Sequence, residues 1–290
     1  MHQRQMGGLY MALAASIWGG MYVVSKEVLD TIPPMALVWL RYAIALAALG
    51  AVGLVTRRSW RIRLRDVPLI LTIGIIGYAI SVWAQFLGTK LSSAQMGAVI
   101  TSATPAFMVL FARIILGEKI TLRKALSVGL ATLGVLMIVG IGHISRSYEF
   151  GGMILGIAAL TWSLMSVLVK RIPSDYSPLV VTLYGLLIAT IVLTPSALIQ
   201  LHSVDVVKFT SPIVWGGVLY LGLVSTAGAF FLWTKGLQMA DAASGGLYFF
   251  FQPLMGTFLA WIFLGEQVGI SFWVGAGLIV SGVLLVLKES

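Results

Sequence analysis

Residues 270–287 read ISFWVGAGLIVSGVLLVL. The run carries no charge, and its apolar side chains fall on every side of a helical wheel. A helix on the surface of a soluble protein keeps one polar face for water. A strand of a membrane barrel alternates apolar and polar residues. The run does neither, so it reads as a helix that is apolar around its whole circumference.

The rest of the chain agrees. Of 290 residues, 59% are hydrophobic and 10% charged, with a mean hydropathy of +0.99. Soluble domains carry about 25% charged residues, and so few charges cannot cover a water-facing surface. Lipid is then the main solvent, and in lipid every backbone N–H and C=O needs a partner within the chain. An all-α integral membrane protein follows. A spanning helix needs about 20 apolar residues. Ten transmembrane helices are predicted, at 7–29, 34–56, 67–90, 93–115, 121–141, 150–171, 177–200, 212–238, 242–264 and 269–287. Pro33-Pro34, Pro173, Pro178 and Pro212 cannot continue a helix, and Gly117 and Gly265 suit helix ends. Gly152-x3-Gly156 reads as a small-residue packing motif. The first run holds Trp18 and Tyr22 where a cleaved leader would show small residues, so it is taken as the first span.

The net charge of +9 comes from loops. That is a topology signal rather than a nucleic-acid surface. With both termini cytoplasmic, 14 of the 19 Lys and Arg lie inside, and only Lys26, Arg41, Lys90, Arg146 and Lys208 lie outside. The bias predicts a multi-pass protein of the cell (inner) membrane with cytoplasmic N- and C-termini. Lys26 and Arg41 lie near the outer ends of their spans and are expected to snorkel to the interface, with carboxylate binding as the alternative. There is no cysteine, so no disulfide or thiolate metal site can form. No P-loop, G-x-S-x-G, H-E-x-x-H or EF-hand spacing occurs. No enzyme activity, metal or cofactor is expected.

The chain repeats itself. At an offset of 144, Trp18 meets Trp162, Met21 meets Met165, Lys26 meets Lys170 and Pro34 meets Pro178. At an offset of 148, Gly74 meets Gly222, Gly88 meets Gly236, Pro105 meets Pro253, and Leu116-Gly117-Glu118 meets Leu264-Gly265-Glu266. The halves are 1–144 and 145–290. Each holds five spans, an odd number, so the second half crosses the membrane in the opposite sense. Inverted repeats let two halves exchange conformations around a midplane site, the device of secondary transporters.

These residues carry a family resemblance. Two inverted five-helix halves, with Pro-x11-Gly-Glu running from Pro105 to Glu118 and again from Pro253 to Glu266, resemble the drug/metabolite transporter superfamily. The EamA-type branch fits best, and its amino-acid exporters most of all. The resemblance covers essentially the whole chain. It implies a central cavity walled by helices 1–4 and 6–9, with helices 5 and 10 to one side. It also implies export of amino acids, other metabolites or drugs.

Polar and aromatic residues inside spans mark candidate cavity walls. Trp18 and Tyr22 share a face of helix 1, as do Tyr78, Ser81 and Gln85 on helix 3. Trp162 and Ser166 lie one turn apart, as do Tyr248 and Gln252, and Phe230 and Trp233 share a stripe. Such a lining suits a small amphipathic substrate, since rings offer apolar area and accept an ammonium on their faces. Trp and Tyr also gather at membrane interfaces, and Gln85 and Gln252 could instead bridge helices. Pro105 and Pro253, mid-span at matched positions, are candidate hinges. Glu118 and Glu266 are expected to hold helix N-termini.

All ten acidic residues and all three histidines fall at helix ends or in loops. A proton relay needs a titratable group within the span, so facilitated efflux is expected. Small cation-drug exporters of the superfamily keep a glutamate in the first helix, and none occurs here before Glu27. The reading is therefore an exporter of small amphipathic metabolites, above all aromatic or neutral amino acids, working as a monomer in the lipid bilayer. A multidrug or nucleotide-sugar carrier of the same superfamily is the alternative, although anionic cargo should want basic residues at mid-span. A structural or assembly protein is the alternative from another class.

Overall fold

The computed structural model describes residues 2–92, 97, 100–139, 149–202, 211–264 and 269–287. Among these, every regular element is helical. The elements are α1 (His2–Leu29), α2 (Pro34–Val55), α3 (Leu64–Leu91), α4 (Thr104–Leu116), α5 (Leu122–Val139), α6 (Glu149–Val169), α7 (Pro178–Leu201) and α8 (Pro212–Met239). Then come α9, made of Ala242–Leu247, the 3₁₀ turn Tyr248–Phe250 and Phe251–Leu264, and α10 (Ile270–Leu287). Six helices, α1, α2, α3, α6, α7 and α8, are long and apolar enough to cross a membrane. Shorter apolar helices lie in α4 and α10. The predicted start of the fourth span, at 93–96, and the end of the fifth, at 140–141, lie outside the described residues, as do Gly265 and Glu266.

The boundaries follow from local chemistry. Pro34, Pro178 and Pro212 stand at the first helical positions of α2, α7 and α8, after extended residues. There the missing N–H costs nothing and the fixed φ suits the helix. α4 ends at Gly117, whose φ of 70° is left-handed and favours glycine.

Helix α1 packs against α8 and α9, and α6 packs against α3 and α4. Helices α2 and α7 face each other, and α5 and α10 pack chiefly on one another, to one side. These pairings match under the two sequence offsets, and so do close contacts within them. A Cβ built on Gly236 would lie 2.5 Å from Met11 Cγ and 2.7 Å from the Gly7 carbonyl oxygen. A Cβ on Gly88 would lie 2.7 Å from Leu155 Cγ and 2.9 Å from the Gly151 carbonyl oxygen. Gly151 and Leu155 are Gly7 and Met11 plus 144, and Gly236 is Gly88 plus 148. The close approach on α6 is thus made by Gly151. Gly156 has open space beside it, which corrects the Gly152-x3-Gly156 reading.

Both α3 and α8 widen into π-helix, over Ile73–Ser81 and Tyr220–Gly228. The two segments, nine residues each, correspond to within one residue at the 148 offset. π-segments often mark functional sites, because they turn side chains that a regular helix would place elsewhere. The outer surface carries exposed Leu54, Ile114, Ile199, Ile213 and Trp273, a surface suited to lipid rather than water.

Candidate functional site

A narrow cavity of about 20 Å³ lies where α1, α2, α3, α6, α8 and α9 converge with the turn entering α4. Six of the residues singled out in the sequence line it: Trp18, Ser81, Gln85, Trp162, Phe230 and Gln252. Its floor is a knot of rings. Trp18 meets Trp162 edge to face at 5.2 Å and Phe230 at 5.7 Å. Tyr78 stacks on Phe230 at 5.1 Å, 16° from parallel. Trp18 and Trp233 are 5.3 Å apart. Edge-to-face and offset pairs of this kind stabilise by about 0.5–1.5 kcal/mol each beyond their burial. The Trp18 indole N–H donates to the Ser225 carbonyl at 2.9 Å, whereas the buried Trp162 Nε1–H has no hydrogen-bond partner among the described residues.

The other named residues stand around this cavity. Gln85 Nε2 donates to Tyr22 Oη at 3.0 Å, and Tyr22 Oη lies 3.2 Å from Thr101 Oγ1. This network separates the cavity from a smaller pocket bounded by Tyr22, Gln85 and Thr89. On the opposite side of the rings, Trp233 Nε1 donates to Ser166 Oγ at 3.1 Å. Ser166 is Tyr22 plus 144 and Trp233 is Gln85 plus 148, so one bridge repeats the other. Tyr78 stands behind Phe230 with its ring in the space beside Gly185 of α7. α7 itself gives no lining residue. Tyr248 is turned away from the cavity toward Gly8 of α1.

Sequence reasoning missed Met21, Thr101, Thr104 and Phe249, which also line the cavity. The repeat held the signal for two of them, since Thr104 and Thr101 are the 148-offset mates of Gln252 and Phe249.

Arg41 is the larger correction. It does not snorkel. It is 0% exposed and lines the cavity, about 10 Å along α2 from Pro34 at the usual helical rise. The π-segment of α8 is the reason. It turns two hydroxyls toward α2, and Arg41 Nε donates to Thr226 Oγ1 at 2.6 Å while Nη2 donates to Ser225 Oγ at 3.2 Å. Nη1 reaches Met21 Sδ at 3.4 Å. The guanidinium also lies over the rings of Phe86 at 5.1 Å and Phe230 at 5.8 Å. A basic residue within the span is therefore present, against the sequence expectation. The Lys26 side chain lies outside the described residues.

Pro105 follows a turn at Ser102 and Ala103, and Pro253 follows the 3₁₀ turn Tyr248–Phe250. Each helix is interrupted just before its proline. Pro105 and Pro253 bring no N–H to the carbonyls of Thr101 and Phe249, both on the cavity wall.

The end of the bundle that holds the start of α1 is closed by charge. Glu118 accepts from the Ala242 and Ala243 N–H groups at 3.0 and 3.1 Å, holding the N-terminus of α9. Lys124 Nζ lies 3.3 Å from Asp241 and 3.9 Å from Glu118. Burial alone would push the Asp241 carboxyl up. Hydrogen bonds from Ser244 and the Lys124 ammonium outweigh it and hold the carboxyl below the usual range.

Comparison with known proteins agrees with this architecture. The EamA-like transporter family matches residues 5–140 and 150–288. The permease-like protein YdzE of Bacillus subtilis (strain 168) is 68% identical over 71 residues, 24% of this chain and 91% of YdzE. An uncharacterized transporter of Archaeoglobus fulgidus is 24% identical over 97% of this chain and 98% of its own. A protein of Streptantibioticus cattleyicolor named "Probable terminal-alkyne amino-acid exporter" is 26% identical over 86% of this chain and 80% of its own. A solved crystal structure superposes with a TM-score of 0.82 at 22% identity, over 98% of this chain and 96% of that one, and so shares the fold. With both halves matched, this multi-pass membrane protein belongs to the EamA-like transporter family.

Proposed function

We propose that the protein exports small amphipathic metabolites, above all aromatic or neutral amino acids, by alternating access between two inverted five-helix halves, 1–144 and 145–290. The observation that carries this is the narrow cavity between the halves with rings on its floor and Arg41, Gln85 and Gln252 on its walls. Its mix of apolar area with few polar groups is that of small-molecule sites. The Tyr22–Gln85 and Ser166–Trp233 bridges act as the two gates. The rings lie between them. Opening one gate while the other stays shut exposes the cavity to one side at a time, with bending at Pro105 and Pro253. The relative named as an amino-acid exporter supports the substrate class.

Among the described residues no Asp, Glu or His lines the cavity, which supports movement down the substrate gradient without a proton relay. The loop charge bias supports cytoplasmic termini and the cell (inner) membrane.

Counterflow tests this. Proteoliposomes preloaded with unlabelled phenylalanine should accumulate labelled phenylalanine transiently, and a Trp162→Ala variant should not. Equal uptake by protein-free liposomes would sink the reading. Orientation is checked in cells. The chain has no cysteine, so Ser59→Cys should label only from the cytoplasm and Ser92→Cys only from outside.

A further inference from the structure

We propose that Arg41 is the carboxylate-binding group of the cavity. The protein then recognises a small monocarboxylate with an apolar or aromatic tail, whether or not it bears an α-ammonium. This rests on the transport reading above and names what the cavity takes.

Three observations point to it. The first is the environment of the charge. Arg41 is fully buried, and three of its five N–H donors go to neutral atoms of Thr226, Ser225 and Met21. Among the described residues no carboxylate pairs with it. A buried cation without a counter-charge is costly, and hydroxyls, a thioether and ring faces offset only part of that cost. An anion in the adjoining cavity would complete the balance.

The second is a surplus of donors. Trp162 Nε1–H, on a side chain 7% exposed, and the Thr104 hydroxyl both line the cavity without a hydrogen-bond partner among the described residues. Buried polar groups are ordinarily satisfied, so such orphans call for an explanation. Together with the guanidinium they form a donor-rich wall with no acid in it, the complement of a carboxylate.

The third removes the structural explanation. The packing of α2 on the π-segment of α8 is repeated by α7 on the π-segment of α3. At the matched places Arg41 becomes Gly185 and Thr226 becomes Tyr78. There the Tyr78 ring fills the space beside Gly185, with no charge at all. Holding this pair of helices together does not require a cation, so the charge on one half serves something else.

A single guanidinium facing aromatic walls fits one negative charge with an apolar tail, rather than a phosphorylated or polyanionic cargo. An α-ammonium would meet only neutral groups among the described residues: ring faces, hydroxyls and the carbonyls of Gln85 and Gln252. Its loss should matter little, and a ligand that is only an amine should be disfavoured beside Arg41.

The test compares phenylalanine, 3-phenylpropionate and phenethylamine as competitors of labelled phenylalanine in counterflow by the full chain. Binding to the detergent-solubilised protein is followed in parallel by tryptophan fluorescence. We expect 3-phenylpropionate to compete within about threefold of phenylalanine and phenethylamine to be at least about tenfold weaker. Arg41→Gln should weaken both carboxylates roughly 10- to 100-fold, and Arg41→Lys should recover part of that loss. Phenethylamine matching 3-phenylpropionate on the unmodified protein overturns the proposal, and this arm decides even where the Arg41 variants fail to fold. So does a folded Arg41→Gln with unchanged affinity for carboxylates. If phenylalanine itself is neither bound nor moved, the transport reading falls and the inference with it.

Discussion

The indole rings of Trp18 and Trp162 stand 144 positions apart in the sequence and meet at right angles, 5.2 Å between centroids. Each is the other's counterpart in the repeat. Two equivalent residues can touch only where the two halves meet, so this contact marks the seam of the bundle and the floor of the cavity at once.

That position separates packing from recognition at Trp162. Trp162→Phe keeps a ring on the floor but removes the unpartnered N–H. It should leave the unfolding midpoint nearly unchanged and raise the half-saturating phenylalanine concentration by about 3- to 10-fold. Trp162→Ala should abolish counterflow and also destabilise, since truncating a buried Trp costs about 3–5 kcal/mol. Fluorescence-detected unfolding in detergent, beside counterflow, tells the two apart.

The glycine contacts predict opposite effects at the two ends. Gly236→Ala sets a methyl group against the Gly7 carbonyl oxygen, and Gly88→Ala does the same against Gly151. Each should wedge its own end open. With a reporter cysteine at Ala158 on the cavity wall, labelling should rise from the Gly236 side in one variant and from the Gly88 side in the other. Labelling that rises from the same side in both would refute the paired-end picture.

The Asp241–Lys124–Glu118 cluster predicts a pH dependence. The folded Asp241 carboxyl lies below its ordinary range. Its contribution is therefore complete above the unfolded value and is lost as pH falls through the folded one. Thermal stability in detergent should be insensitive to this group from neutral pH down to about 4 and fall below that. Asp241→Asn should lower stability at neutral pH and flatten that acid limb. Glu118→Gln weakens the hold on the α9 N-terminus and should cost about 1 kcal/mol, read as a lower unfolding midpoint.

The lack of acids and histidines on the cavity wall, among the described residues, predicts indifference to protons. An imposed pH gradient should not drive phenylalanine above its equilibrium ratio in proteoliposomes. Uphill accumulation that collapses with a protonophore would contradict this.

What the sequence discloses and what it hides have physical reasons. The helices are legible because Pro34, Pro178 and Pro212 start them and long apolar runs fill them. The Trp18–Trp162 pairing is legible because both fall at matched places in the repeat. Tyr248 misleads because regular α-geometry puts it on the face of Gln252, one turn away. The 3₁₀ turn Tyr248–Phe250 overwinds the chain by roughly 20° per residue and swings the ring toward Gly8. Arg41 misleads for another reason. Snorkelling is the default for a basic residue near a helix end, and nothing in α2 announces that a wide turn of α8 will supply two hydroxyls to hold it.

The mismatch between Arg41 and Gly185 reaches further than binding. Under the alternating access proposed above, two halves alike in packing but unlike in charge should give two open forms of unequal energy. The resting protein should then favour one of them, so half-saturation should differ between the faces of the membrane, even though passive transport ends at equal concentrations. The direction in which the protein works fastest would then be written into a single guanidinium, as a kinetic rectifier rather than a pump.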